Sequence, residues 1–137
     1  MDLKQLEMTI RCLYEGTRGS QDVRLPDQIE FHDPVVIVRG ANGVRRMFKK
    51  LNRLFPASVV HEFSLISGQS DQFSLCVHYR RHHASTPTIF RSVLQVERTD
   101  GEISKLVEHW THPIRRPGNS TRFGSRWLRG RIGRLLS

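Results

Sequence analysis

The chain has 137 residues, 37% of them apolar and 26% charged, with a formal net charge of +9. That is the length of one domain and the composition of a globular protein, which excludes a disordered chain. No apolar run reaches the roughly 20 residues that span a bilayer. The opening Met1-Asp-Leu-Lys-Gln-Leu-Glu7 lacks the apolar centre of a signal peptide, so an intracellular, cytoplasmic protein that is not secreted is expected. The charge is divided. All 13 acids precede residue 113, together with 15 of the 22 Lys and Arg, whereas residues 114–137 hold seven Arg and no acid. A basic excess this local points to an anionic partner for the tail.

Leu3, Leu6, Ile10 and Leu13 recur at steps of three and four, which predicts a first helix with one apolar stripe, ended by Gly16, Gly19 and Ser20. A polar connection over 21–28 leads to Ile29 and Phe31, which alternate with Glu30 and His32 as in a half-buried strand. The chain stays extended past Asp33-Pro34 and turns at Gly40. Asn42 is the expected N-cap of a second helix whose apolar face is Val44, Met47, Phe48, Leu51, Leu54 and Phe55, and Pro56 stops it. Strands are predicted over 59–66, 73–80, 88–98 and 103–111, with turns at Gly68, Ser85-Thr86-Pro87 and Asp100-Gly101. Helices first and antiparallel strands afterwards predict an α+β domain. Cys12 and Cys76 fall in apolar patterns, which predicts two buried thiols rather than a disulfide.

Two stretches say more. Phe31-His-Asp-Pro-Val-Val-Ile-Val-Arg-Gly40 runs into Val44-Arg-Arg-Met-Phe-Lys-Lys-Leu51, and Asp100-Gly-Glu-Ile-Ser-Lys-Leu-Val-Glu-His-Trp110 follows later. Through these, residues 3–112 resemble the nuclear transport factor 2-like superfamily, which includes SnoaL-like polyketide cyclases and ketosteroid isomerases. The resemblance implies a curved antiparallel sheet wrapped around N-terminal helices, leaving a cone-shaped cavity. It places Asp33 where the isomerases carry their general base and offers Tyr14 as the helix tyrosine of the oxyanion hole. The second oxyanion group, a strand acid, would fall near Val93, in a run without a carboxylate, so the chain departs from the isomerase pattern there. His109 is a further titrating candidate on the last strand, although alternation sets it opposite Trp110. No cofactor or metal is expected: His78, His82 and His83 are interleaved with Arg80 and Arg81 and lack an accompanying carboxylate.

Residues 113–137 lie outside the resemblance and read as a separate basic amphipathic tail following a domain over 1–112. On a helical wheel Leu128, Ile132, Leu135 and Leu136 share a sector of roughly 100°, with Trp127 beside it. Arg126, Arg129, Arg131 and Arg134 surround the remainder, the composition of an interfacial helix. Gly130 and Gly133 weaken the helix, so the tail is expected to order on a partner. An anionic membrane surface or an acidic protein groove suits it, docking onto its own domain less so. Nucleic acid is disfavoured because the Leu/Ile sector would be idle. Later in the sheet, Phe90, Leu94 and Val96 alternate with Ile89 and Val93, so both faces carry apolar side chains and a homodimer is expected. The sequence favours a non-catalytic domain docking through its tail. A small isomerase, dehydratase or cyclase acting on a hydrophobic carbonyl compound, with Asp33 as base, is the alternative.

Overall fold

The computed structural model describes residues 2–16 and 23–111. The tail residues predicted to bind a partner, Arg126, Trp127, Leu128, Arg129, Arg131, Ile132, Arg134 and Leu135, lie outside these, as does the boundary at 112.

Helix α1 (Leu3–Glu15) begins with a capping box: Gln5 N–H donates to Asp2 Oδ1 at 2.8 Å, and Asp2 N–H donates to Gln5 Oε1 at 3.2 Å. It ends at Gly16, whose φ of 63° suits a residue without Cβ and brings its N–H to the Cys12 carbonyl. Leu6, Ile10, Leu13 and Tyr14 are buried. Leu3, predicted on the same stripe, is instead 53% exposed, because the first turn overhangs the end of the sheet beside Leu65.

Strands β1 (Glu30–His32) and β2 (Ile37–Arg39) form a short antiparallel hairpin around the Asp33-Pro34 bend. Helix α2 (Ala41–Leu54) follows at once. Its N-cap is Gly40, not the expected Asn42, which lies inside the first turn. The reason is that the loop itself accepts the early N–H groups. Gly40 N–H donates to the Ile29 carbonyl at 2.7 Å and Ala41 N–H to the Asp27 carbonyl at 3.3 Å. The chain enters at a φ of 87° that only Gly adopts cheaply.

The remaining strands, β3 (Val59–Leu65), β4 (Gln72–Tyr79), β5 (Thr88–Thr99) and β6 (Glu102–Trp110), form an antiparallel meander. Asp100 and Gly101, both at positive φ, make the two-residue turn joining β5 to β6, whose twist matches the strands it connects. The sheet order is β2-β1-β6-β5-β4-β3, with β1 parallel to β6 and every other pair antiparallel. Register shifts at Val60/Glu62 and Glu97/Arg98 insert bulges, which bend and twist the strands. The helices cover one face. There Val60, Phe63, Phe73, Leu75, Val77, Phe90, Leu94, Val96, Ile103 and Leu106 pack against the apolar sides of α1 and α2. On the opposite face, Ile89 and Val93 are half-buried among Arg91, Gln95 and Lys105, and Arg91 pairs with Glu62 at 3.6 Å. Cys76 is buried beneath that face, whereas Cys12 is only partly buried; both are free thiols.

Candidate functional site

The covered face of the sheet leaves one small cavity against the helices. Tyr14 reaches it from the last full turn of α1, Asp33 from the β1–β2 bend, Tyr79 from β4, and Glu108 and Trp110 from β6. Phe31, Met47, Phe48, Leu51 and Phe90 supply the apolar wall. The rings meet edge to face in two groups, Tyr14 and Phe31 on Phe48, and Tyr79 and Trp110 on Phe90. Tyr14 to Phe48 is 4.8 Å between centroids, Phe31 to Phe48 5.3 Å, and Phe90 to Trp110 4.9 Å.

The polar groups are tightly held. Tyr14 Oη donates to Glu108 Oε2 at 2.6 Å, a short hydrogen bond buried from water. Asp33 Oδ1 accepts the N–H groups of Val35 and Val36 at 2.7 and 2.8 Å, an Asx-type turn that fixes the carboxyl at the bend. Burial pushes the Glu108 carboxyl up to about 7, against the pull of the Tyr14 hydrogen bond and with a push from the charge of Asp33. Ser92 Oγ is buried nearby without a well-formed hydrogen bond, so its own pull on Glu108 is weak. Burial also raises Asp33, partly offset by the two backbone N–H groups. Tyr14 and Tyr79 are pushed well above the usual phenol range, first by burial and then by the nearby acids. Near neutrality the cavity therefore holds one carboxyl poised to gain or lose a proton and two neutral phenols.

The structure brings together two of the three residues singled out from sequence, Asp33 and Tyr14. His109 does not join them. Alternation along β6 turns it to the uncovered face, opposite Val93, where it is exposed. Glu108 is the member that sequence reasoning passed over. An acid was sought near Val93 on β5, whereas the carboxylate comes from β6, one residue before His109. Its signal was its place in alternation with Trp110. Among the described residues, no three His, Cys, Asp or Glu side chains converge as a metal site. No helix of the described residues is long and apolar enough to cross a membrane.

The void between these groups is about 20 Å³. That is enough for one water, which needs roughly 10–15 Å³.

A sheet curled over two N-terminal helices, with β6 lying between the first hairpin and β5, decides the architecture. The chain has the nuclear transport factor 2-like (NTF2-like) fold. An NTF2-like protein from Anabaena variabilis superposes with a TM-score of 0.61 at 12% identity, over 80% of this chain and 89% of that one. A SnoaL-like family protein from Agrobacterium tumefaciens gives 0.55 at 15% identity, over 80% and 100%. A phenazine biosynthesis-related protein from Pseudomonas aeruginosa gives 0.52 at 13% identity, over 79% and 76%. No family model and no curated protein matches the sequence. At these identities the likeness is one of fold, and an NTF2-like scaffold hosts many unrelated activities.

Proposed function

We propose that the chain is a non-catalytic NTF2-like domain that docks on an anionic intracellular membrane surface, or on an acidic protein groove, through its Arg-rich tail. The closed cone carries the non-catalytic part of this reading. A void of about 20 Å³ is far below the roughly 300 Å³ at which small-molecule sites begin. The docking part rests on the charge division, with seven of the nine net positive charges placed beyond residue 113. Vesicle co-sedimentation of the full chain beside a chain ending at Pro117 tests it.

A second reading is favoured by one specific arrangement, the Tyr14–Glu108 hydrogen bond beside Asp33. In a small isomerase, dehydratase or cyclase, Asp33 would take the proton next to a substrate carbonyl, while Tyr14 and protonated Glu108 would stabilise the resulting oxyanion. This requires the Phe90/Trp110 side of the cone to open. If a hydrophobic carbonyl compound is turned over, Asp33→Asn should lower kcat by roughly 10²–10⁴, the usual contribution of a general base. His109→Ala should leave kcat unchanged. Equal losses in both variants would exclude Asp33 as the base.

Assembly is a separate expectation. The uncovered sheet face bears Ile89, Val93 and Val107 half-buried among polar neighbours, a surface suited to a second copy. Sedimentation of a chain ending at Pro113 should show a dimer at micromolar concentration. A monomer for both this and the full chain would leave that face to another partner.

A further inference from the structure

Helix α2 carries Arg45, Arg46, Lys49, Lys50 and Arg53 and no acid anywhere in Ala41–Leu54. At 100° per residue these cations fill the arc opposite Val44, Met47, Phe48 and Leu51, the side buried against the sheet. Arg45, Arg46, Lys49 and Arg53 line a groove of about 530 Å³ between α2 and the end of α1, floored by Leu13 and Phe48.

The groove is shaped by fixed contacts. Asn52 Nδ2 donates to the Leu13 carbonyl at 3.1 Å, which ties the two helices together. Gly16 lets them approach, because a Cβ there would stand 2.6 Å from Asn52 Cγ. Arg45 Nη2 donates to the Val23 carbonyl at 2.8 Å, which holds the guanidinium in place, and its Nε is buried without an acceptor. Elsewhere, Arg11, Arg39, Arg91, Arg98 and Lys105 each lie against a carboxylate. Among the described residues, no ion pair engages Arg46, Lys49 or Arg53. Residues 17–22, outside the described residues, hold one cation, Arg18, and one acid, Asp22. A concave surface whose described lining has four cations and no acid focuses a positive potential.

We propose that this groove binds a multiply phosphorylated small molecule whose phosphate monoesters pair with Arg45, Arg46, Lys49 and Arg53. A monocarboxylate would neutralise one cation and leave three in mutual repulsion. Phosphate monoesters carry close to two charges each and match the guanidinium fork with two parallel hydrogen bonds. The groove volume suits a ring bearing several phosphates rather than a bare phosphate ion. The same chemistry is offered by a free inositol polyphosphate and by the headgroup of a phosphoinositide lipid. This site lies on folded elements and does not depend on how the tail docks or on whether the cone is active.

The test uses the full-length chain at physiological ionic strength. Calorimetric titration with inositol hexakisphosphate should give one site, and R46E/K49E should weaken it by roughly a hundredfold, the loss of two charge-assisted contacts. Both side chains are exposed, so the variant should retain the wild-type circular dichroism spectrum. R46Q/K49Q should show a smaller loss in the same direction, and R39Q, at an exposed arginine outside the groove, should leave the affinity unchanged. Vesicles with and without phosphatidylinositol 4,5-bisphosphate then separate the sources. A gain in recruitment on adding that lipid which R46E/K49E removes assigns the lipid headgroup, and binding of the soluble compound without such a gain assigns a free ligand. Wild-type affinity in R46E/K49E, or an equal loss in R39Q, would overturn the groove as the site. Displacement by a single-stranded RNA with equal affinity and the same sensitivity would overturn the ligand class.

Discussion

Replacing Glu108 with Gln is expected to stabilise the protein at pH 7.5 and to flatten the dependence of its stability on pH between 4.5 and 7. The folded chain holds the Glu108 proton up to about pH 7, against an ordinary value of 4.5, because burial disfavours the charged form. Between these two values the folded state binds a proton that the unfolded state has released. The stability due to the protonated carboxyl is therefore complete below 4.5 and is lost as pH rises through 7. At about 1.36 kcal/mol per unit of separation, the loss is on the order of 3 kcal/mol. Gln keeps a carbonyl oxygen for the Tyr14 hydroxyl and has no proton to lose. Urea midpoints at pH 5 and pH 7.5 make the comparison: the wild type should fall between them and Glu108→Gln should hold. Glu30, held below its usual range by its hydrogen bonds to Arg39 and His32, acts with the opposite sign but equally in both proteins. An equal fall in the two proteins would mean that Glu108 is not the titrating group.

A chain ending at Pro117 is expected to lose its binding to vesicles containing phosphatidylserine while keeping the unfolding midpoint of the full protein. The deletion removes Arg122, Arg126, Arg129, Arg131 and Arg134, together with Trp127 and the Leu128/Ile132/Leu135 sector. Cations near an anionic leaflet contribute about 1 kcal/mol each, so the loss should exceed a thousandfold before the apolar contribution is counted. The folded unit should be untouched, since the core of the described residues is built from Leu6 to Leu106 with Trp110 packed against it. Raising the salt concentration should weaken the full chain strongly. Undiminished binding by the shortened chain would remove the tail as a membrane anchor. Loss of the unfolding midpoint would show instead that the tail packs on its own domain.

Much of the architecture was legible because each element follows its own period. The 3.6-residue stripes of α1 and α2 and the alternation of β4 and β5 place those elements within a residue or two of where they lie. The departures are tertiary. Leu3 has the right spacing but lies beyond the edge of the sheet. Asn42 has the chemistry of an N-cap, but Val44 N–H, which it would serve, already donates to the Gly40 carbonyl at 3.0 Å. The pairing of β1 with β6 joins segments far apart in sequence and leaves no local mark. At the candidate site, Asp33 is visible through its Asp-Pro bend and Tyr14 through its helix. Glu108 is an acid on the inward parity of β6, shared with Leu106 and Trp110, where an apolar residue is the ordinary expectation. His109 is the converse, a residue with suitable chemistry on the wrong parity of its strand.

The place of β6 has a further consequence for how the chain is made. It is the last of the described strands in sequence, yet it lies inside the sheet, with β5 on one side and β1 on the other. During synthesis the β1–β2 hairpin therefore has α2 but no further strand to pair with until residues 102–110 emerge, and Glu108 and Trp110 arrive with them. Forming contacts this distant along the chain is slow, because the intervening loop must close before any of them is rewarded. Until then the apolar faces of α1 and α2 and the edge of β5 stand open to other chains. The nascent protein thus has a window in which chaperones, or aggregation, compete with completion of the sheet. Changes that weaken β6 pairing should lower the yield of folded protein more than its stability once folded.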